Sequence, residues 1–170
     1  MNTLHATMLV VGAAMAMGTG NFPSSRAEEA SPAAQFDFWL GNWELTSGGK
    51  PAGTNTITRE YDGAVIMERF AGSGENALHG MSVSVFNKNT GRWNQTWVDN
   101  QGGYLDFEGG FADGKMILSR HATIQGKEVA QRMVWFNITP DSFDWNWERS
   151  DDNGATWKTL WPIHYERKAQ

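Results

Sequence analysis

Cysteine is absent from this chain of 170 residues. Its absence excludes disulfides, a thiolate nucleophile, a cysteine-based metal site and a lipoprotein-type anchor after a leader. Positive charge is scarce and scattered: 14 Lys and Arg stand against 19 Asp and Glu, for a formal net charge of −5. No basic cluster occurs, so nucleic acid and anionic membrane surfaces, which both need clustered Lys and Arg, are not expected partners. Only 4 histidines are present, His5, His79, His121 and His164. None has a second histidine at i+2 or i+4, so no metal site is expected. A sustained 3.6-residue period is missing after Leu45, which predicts almost no helix beyond that point.

Long apolar runs are missing too. Leu4 to Met17 is interrupted by His5, Thr7 and Gly12, and is about the size of a signal-peptide core but too short to span a bilayer as a helix. With a small-x-Ala site at Ser25-Arg26-Ala27, residues 1–27 read as an export signal, followed by a flexible linker over 28–35 and one domain over 36–168. A disulfide-free exported chain points to a periplasmic or secreted protein. The mature chain is not expected to insert into a membrane.

What is abundant is aromatic: 9 Trp, 9 Phe and 3 Tyr. The segment Phe36-Asp37-Phe38-Trp39-Leu40-Gly41-Asn42-Trp43 is too short for an amphipathic helix and reads as a plug, a bend at Gly41 and the start of a strand. From Asn42 onward, alternating patterns are separated about every ten residues by connectors rich in Gly, Asn and Asp, such as Gly48-Gly49, Asp113-Gly114 and Gln125-Gly126. Ten short antiparallel strands follow from that spacing. Such a meander removes its exposed edges by closing, so the expected fold is an all-β up-and-down barrel of about ten strands with a short helical plug at its N-terminus.

Alternation sorts the strand residues into faces. Trp93, Gln95, Trp97 and Asp99 form one row, Trp145, Trp147 and Arg149 another, and Trp157, Trp161, Ile163, Tyr165 and Arg167 a third, all expected inside. His79 alternates with Met81, Val83 and Val85, a row also expected inside. Arg132 shares its row with Val134 and Phe136. A ten-stranded barrel is wider than its own side chains readily fill, so these rows predict an aromatic-lined cavity with a few polar groups. The ligand-binding residues expected on this basis are Trp93, Gln95, Trp97, Trp145, Trp147 and Arg149. Candidates for catalysis are His79, Asp99 and Arg132. Ser150-x-Asp152-x-Gly154-x-x-Trp157 reads as a hairpin stabilised by its own side chains.

The ordered set Phe36-Asp37-Phe38-Trp39-Leu40-Gly41-Asn42-Trp43-Glu44, Gly80-Met81-Ser82, Trp93-Asn94-Gln95-Thr96-Trp97-Val98-Asp99-Asn100, Trp147 to Trp157 and Tyr165-Glu166-Arg167 resembles the bacterial DUF1579 family. That resemblance implies a lipocalin-like (calycin) barrel with an internal cavity. Gly41-x-Trp43 is similar to the opening of lipocalins, which implies a basic residue from a late strand over the Trp; Arg167 is the match. Haem-binding barrels of this type carry further glycines after the Trp, where this chain has Glu44-Leu45-Thr46-Ser47, and no cofactor is expected.

These readings converge on an exported barrel that holds a small hydrophobic or aromatic molecule. The alternative is an enzyme of the same architecture, an isomerase, cyclase or lyase acting on such a molecule.

Overall fold

Hairpin chemistry dominates the backbone. In the computed structural model, which describes residues 31–169, every strand follows its predecessor through a short connection. The leader read over 1–27 lies outside the described residues. The strands are β1 (Gly41–Ser47), β2 (Lys50–Glu60), β3 (Val65–Gly72), β4 (His79–Asn87), β5 (Arg92–Asp99), β6 (Tyr104–Ala112), β7 (Lys115–Ile124), β8 (Lys127–Phe136), β9 (Ser142–Ser150) and β10 (Lys158–Arg167). Gly48-Gly49, Asp113-Gly114 and Gln125-Gly126 each place two successive residues at positive φ. That is the geometry of a two-residue turn whose twist matches the strands it joins.

The strands close into a ten-stranded antiparallel barrel in which β1 pairs with both β2 and β10. Closure sets Trp43 opposite Arg167 and Leu45 opposite Tyr165. Inward alternation is clear along β1 (Trp43, Leu45), β3 (Ile66, Phe70), β5 (Trp93, Gln95) and β7 (Met116, Leu118), all buried.

One end is stoppered. Two 3-10 turns, Pro32–Ala34 and Asp37–Trp39, precede β1, and Phe36 and Trp39 are buried beneath the barrel wall. Phe36 meets Trp93 and Trp135 edge-on, with ring centroids 4.9 and 5.4 Å apart. Trp43 packs edge-on against Phe143 at 4.8 Å and donates from its indole N–H to the Trp39 carbonyl at 2.8 Å. An ion pair between Arg59 and Asp37 ties the plug to β2. Each buried ring contributes about 1.5–3 kcal/mol by leaving water, and edge-on pairs add ~0.5–1.5 kcal/mol.

Two facing assignments are corrected. On β4, the row His79, Met81, Val83 and Val85 points outward and is exposed, while Ser82 and Ser84 point in and are buried. Small serines are needed inside because they lie opposite Trp97 and Gln95 on β5. The apolar residues on the outside fit a pleated surface and need no core, so hydrophobicity alone inverted this strand. The second correction is Trp157. A register shift between Thr159 and Trp161 breaks the alternation of the tenth strand, so Trp157 does not share the inward face of Trp161 and Ile163. Its ring instead lies on the outer surface, 3.9 Å from the Arg132 guanidinium.

Candidate ligand cavity

Beyond the plug the barrel interior is not filled. A cavity of about 210 Å³ lies in the half opposite the plug. Its wall comes from Phe70 on β3, Trp97 and Asp99 on β5, Leu105 and Phe107 on β6, Met133 and Trp135 on β8, Trp145 and Trp147 on β9, and Trp161, Ile163 and Tyr165 on β10, with Leu78 from the connection before β4. The rings meet at steep angles: 68° for Phe70 and Trp97, 82° for Phe70 and Trp161, 90° for Trp145 and Trp161. Crossed rings cannot stack into a dense column. The space they leave is lined almost wholly by carbon.

The ionisable exceptions are two carboxyls, Glu68 and Asp99. Glu68 is only 6 % exposed and sits on the inward row of β3 between Ile66 and Phe70. The Asn55 side-chain amide donates to Glu68 Oε1 at 2.7 Å and to the Tyr165 hydroxyl at 3.2 Å; the Ser82 hydroxyl donates to Glu68 Oε2 at 2.6 Å. Burial pushes the Glu68 carboxyl above its ordinary range, and the two hydrogen bonds from Ser82 and Asn55 oppose that only in part. Burial, then the neighbouring Glu68 charge, holds the Tyr165 phenol protonated far above its ordinary range. Two acceptors, Asn55 Oδ1 and Gln95 Oε1, and two donors, the indole N–H groups of Trp39 and Trp135, are buried without a hydrogen-bond partner among the described residues.

At the mouth, the Trp97 indole N–H donates to Asp99 Oδ2 at 2.8 Å, and Asp99 Oδ1 accepts from the backbone N–H groups of Gln101 and Gly103, both at 2.9 Å. The bond from Trp97, followed by those backbone donors, holds the Asp99 carboxyl below its ordinary range despite some desolvation. The ring of Trp97 lies flat enough on the wall that a Cβ added to Gly80 would stand 2.2 Å from it.

Of the residues singled out from sequence, the structure brings Trp97, Trp145, Trp147 and Asp99 together around this cavity. Trp93 is instead part of the plug, edge-on to Phe36 and donating to the Pro32 carbonyl at 3.2 Å. Gln95 is buried in the wall, where it donates to the Ser84 hydroxyl at 2.9 Å. Arg149 continues the row of Trp147 to the end of β9 and is bound there to Asp151 at 2.5 Å, away from the lining. His79 is exposed, and Arg132 is on the outer surface, paired with Glu148 at 2.7 Å. Neither can polarise a molecule in the cavity. His121 is exposed, and His164 is on the outer surface beside Asp144 at 2.8 Å.

Sequence reasoning missed Glu68 as a cavity residue. Its signal was present: a carboxylate flanked at i−2 and i+2 by Ile66 and Phe70 shares their inward row. The Ser150 to Trp157 hairpin takes the form expected: Gly154 N–H donates to the Ser150 hydroxyl at 2.7 Å, and Asp152 accepts from the Thr156 N–H at 2.9 Å.

Among the described residues no cluster of three or more His, Asp or Glu side chains could hold a metal ion, and no helix is long and apolar enough to cross a membrane. No protein-family model matches the chain, and no curated protein matches it in sequence.

Proposed function

We propose that this protein is an exported binding barrel whose cavity takes up a small hydrophobic or aromatic molecule. The observation that carries the reading is the cavity itself: about 210 Å³ of space lined by Trp97, Trp145, Trp147 and Trp161 at the end away from the plug. An apolar cavity of ~150 Å³ admits a benzene-sized molecule. The space here suits one ring with a short substituent, or two small fused rings. The barrel and its buried aromatic cluster agree with the calycin-like architecture that the DUF1579 resemblance implies, and the apolar run over Leu4 to Met17 supports export to the periplasm or beyond.

A second reading is favoured by one observation, the side-by-side placement of Glu68 and Tyr165 at the cavity wall. A carboxyl with a raised pKa beside a bound molecule is the group a general acid requires. Under that reading the barrel is an isomerase, cyclase or lyase with Glu68 in the role first considered for His79, Asp99 and Arg132.

Titration with indole, followed by calorimetry, tests the binding reading. Saturable heat that is weakened by Trp97→Ala supports it. A linear response shared by wild type and variant removes its support.

A further inference from the structure

We propose that the cavity's ligand is a small organic cation: an aromatic or alkyl amine whose ammonium group sits against Glu68 while its apolar body fills the tryptophan-lined space. This deepens the binding reading above and rests on it.

Three features of the cavity point the same way. First, its two ionisable carboxyls, Glu68 and Asp99, are not balanced by any Lys, Arg or His among the lining residues. The nearest inward-row guanidiniums are engaged elsewhere: Arg120 packs on Phe107 at 5.9 Å and binds Gln131, and Arg149 is bound to Asp151.

Second, the polar cluster around Glu68 has acceptor positions left over. Each carboxylate oxygen of Glu68 accepts one hydrogen bond, from Asn55 and from Ser82, where a carboxylate has room for about four. Asn55 spends both amide protons, on Glu68 and on Tyr165, and its own Oδ1 has no partner among the described residues. Of this cluster Glu68 and Tyr165 line the cavity, and a ligand bearing N–H groups could add hydrogen bonds to the Glu68 carboxylate where an ether, ester or ketone could not.

Third, the apolar wall is itself cation-binding. Indole faces attract a positive charge more strongly than other rings do, and desolvation strengthens the attraction. Phe70, Trp97, Trp145 and Trp161 all border the space, and their ring planes cross at 68° to 90° and do not lie parallel.

The proton balance closes for either form of the ligand. A neutral amine takes the proton from a protonated Glu68 carboxyl and both become charged. An ammonium ion entering against an ionised Glu68 needs no transfer. Either route ends in the same buried pair, with Asn55 and Ser82 holding the carboxylate.

The test compares three probes of similar size at neutral pH: 2-phenylethylamine, 2-phenylethanol and phenylacetate. Affinities are read by calorimetry and tryptophan fluorescence, with indole, read by calorimetry alone, as a separate control for cavity occupancy. The amine is expected to bind about tenfold or more tighter than the alcohol, with the carboxylate weakest. In Glu68→Gln the ratio of amine to alcohol affinity should fall about tenfold. Should that variant not fold, the order of the three probes on the wild-type protein decides by itself. If indole and the alcohol bind but the amine binds no tighter, this inference is overturned while the binding reading stands. If neither indole nor any of the three probes binds, both are overturned.

Discussion

The Arg167 guanidinium lies over the Trp43 indole, 4.2 Å from the ring centroid, and donates to the carbonyls of Pro140 at 2.7 Å and Leu40 at 2.8 Å. These two residues sit opposite each other where β1 meets β10, so a single side chain clamps the barrel seam and the entry of the plug. Gly41 is what permits the approach: its φ is +122°, and a Cβ there would stand 2.4 Å from the guanidinium. Trp43→Ala should cost about 3–5 kcal/mol, and Arg167→Ala a smaller but clear loss. Arg167→Lys should not restore stability, because an ammonium cannot both stack on the indole and reach several carbonyls. Chemical denaturation of the three variants checks the order.

Trp97 is only partly buried and borders the cavity, so its loss removes less packing than the loss of Trp43. Trp97→Ala should melt above Trp43→Ala yet bind indole more weakly than wild type. Thermal melts and calorimetric titrations with indole on both variants separate the two roles.

Gly80→Ala probes the same wall without removing an aromatic ring. The added methyl would stand 2.2 Å from the Trp97 ring and 2.8 Å from the Val98 carbonyl, so the indole must move off the wall toward the cavity space. Weakened indole binding with a lowered melting temperature is the expected result, read by the same titration.

Glu68 makes stability depend on pH with a definite sign. Its carboxyl is raised above 4.5 by burial, so the folded protein keeps a proton that the unfolded chain releases. The stability it contributes is fully present below pH 4.5 and declines as pH rises through the folded-state value. Glu68→Gln should flatten that decline, gaining on wild type toward neutral pH and not in acid. Asp152 acts in the opposite sense: hydrogen bonds from Ser150 and Thr156 hold it at about 2, so its contribution is lost as pH falls from 3.8 toward that value. Melting temperature against pH for wild type, Glu68→Gln and Asp152→Asn checks both limbs.

Arg132 serves the outer surface. It pairs with Glu148, which is only 8 % exposed, and stacks on Trp157. Arg132→Ala should destabilise by about 1–2 kcal/mol by leaving a buried carboxylate short of a partner, with indole affinity unchanged. Paired denaturation and binding measurements on this variant check it.

The strand count, the hairpins, the plug and the seam between Trp43 and Arg167 were legible because each has a local signal: positive-φ turn residues, period-2 rows, a cluster of rings too short to be a helix. The cavity was legible only in part. Trp97, Trp145 and Trp147 were identified from alternation, but His79 was assigned to the wrong face because Met81, Val83 and Val85 look like core. What decides that strand is a long-range fact, the need for small serines opposite Trp97 and Gln95. Trp93 was assigned to the cavity because alternation gives a row but not a depth, and its depth is set by Phe36 in the plug. Trp157 was lost to a bulge that no residue type announces. Glu68 was overlooked because a single acid within a strand usually faces water; its burial depends on Asn55, Ser82 and Tyr165, which come from three other strands.

The central claim is that the space between the tryptophans is a binding site and not a packing gap, and a crystal structure of the protein soaked with indole tests it most directly. The account predicts a planar ring inside the barrel, in contact with Trp97, Trp145 and Trp147, with the plug unmoved. A cavity closed by those same side chains, with indole excluded or resting only on the outer face of the barrel, would contradict it.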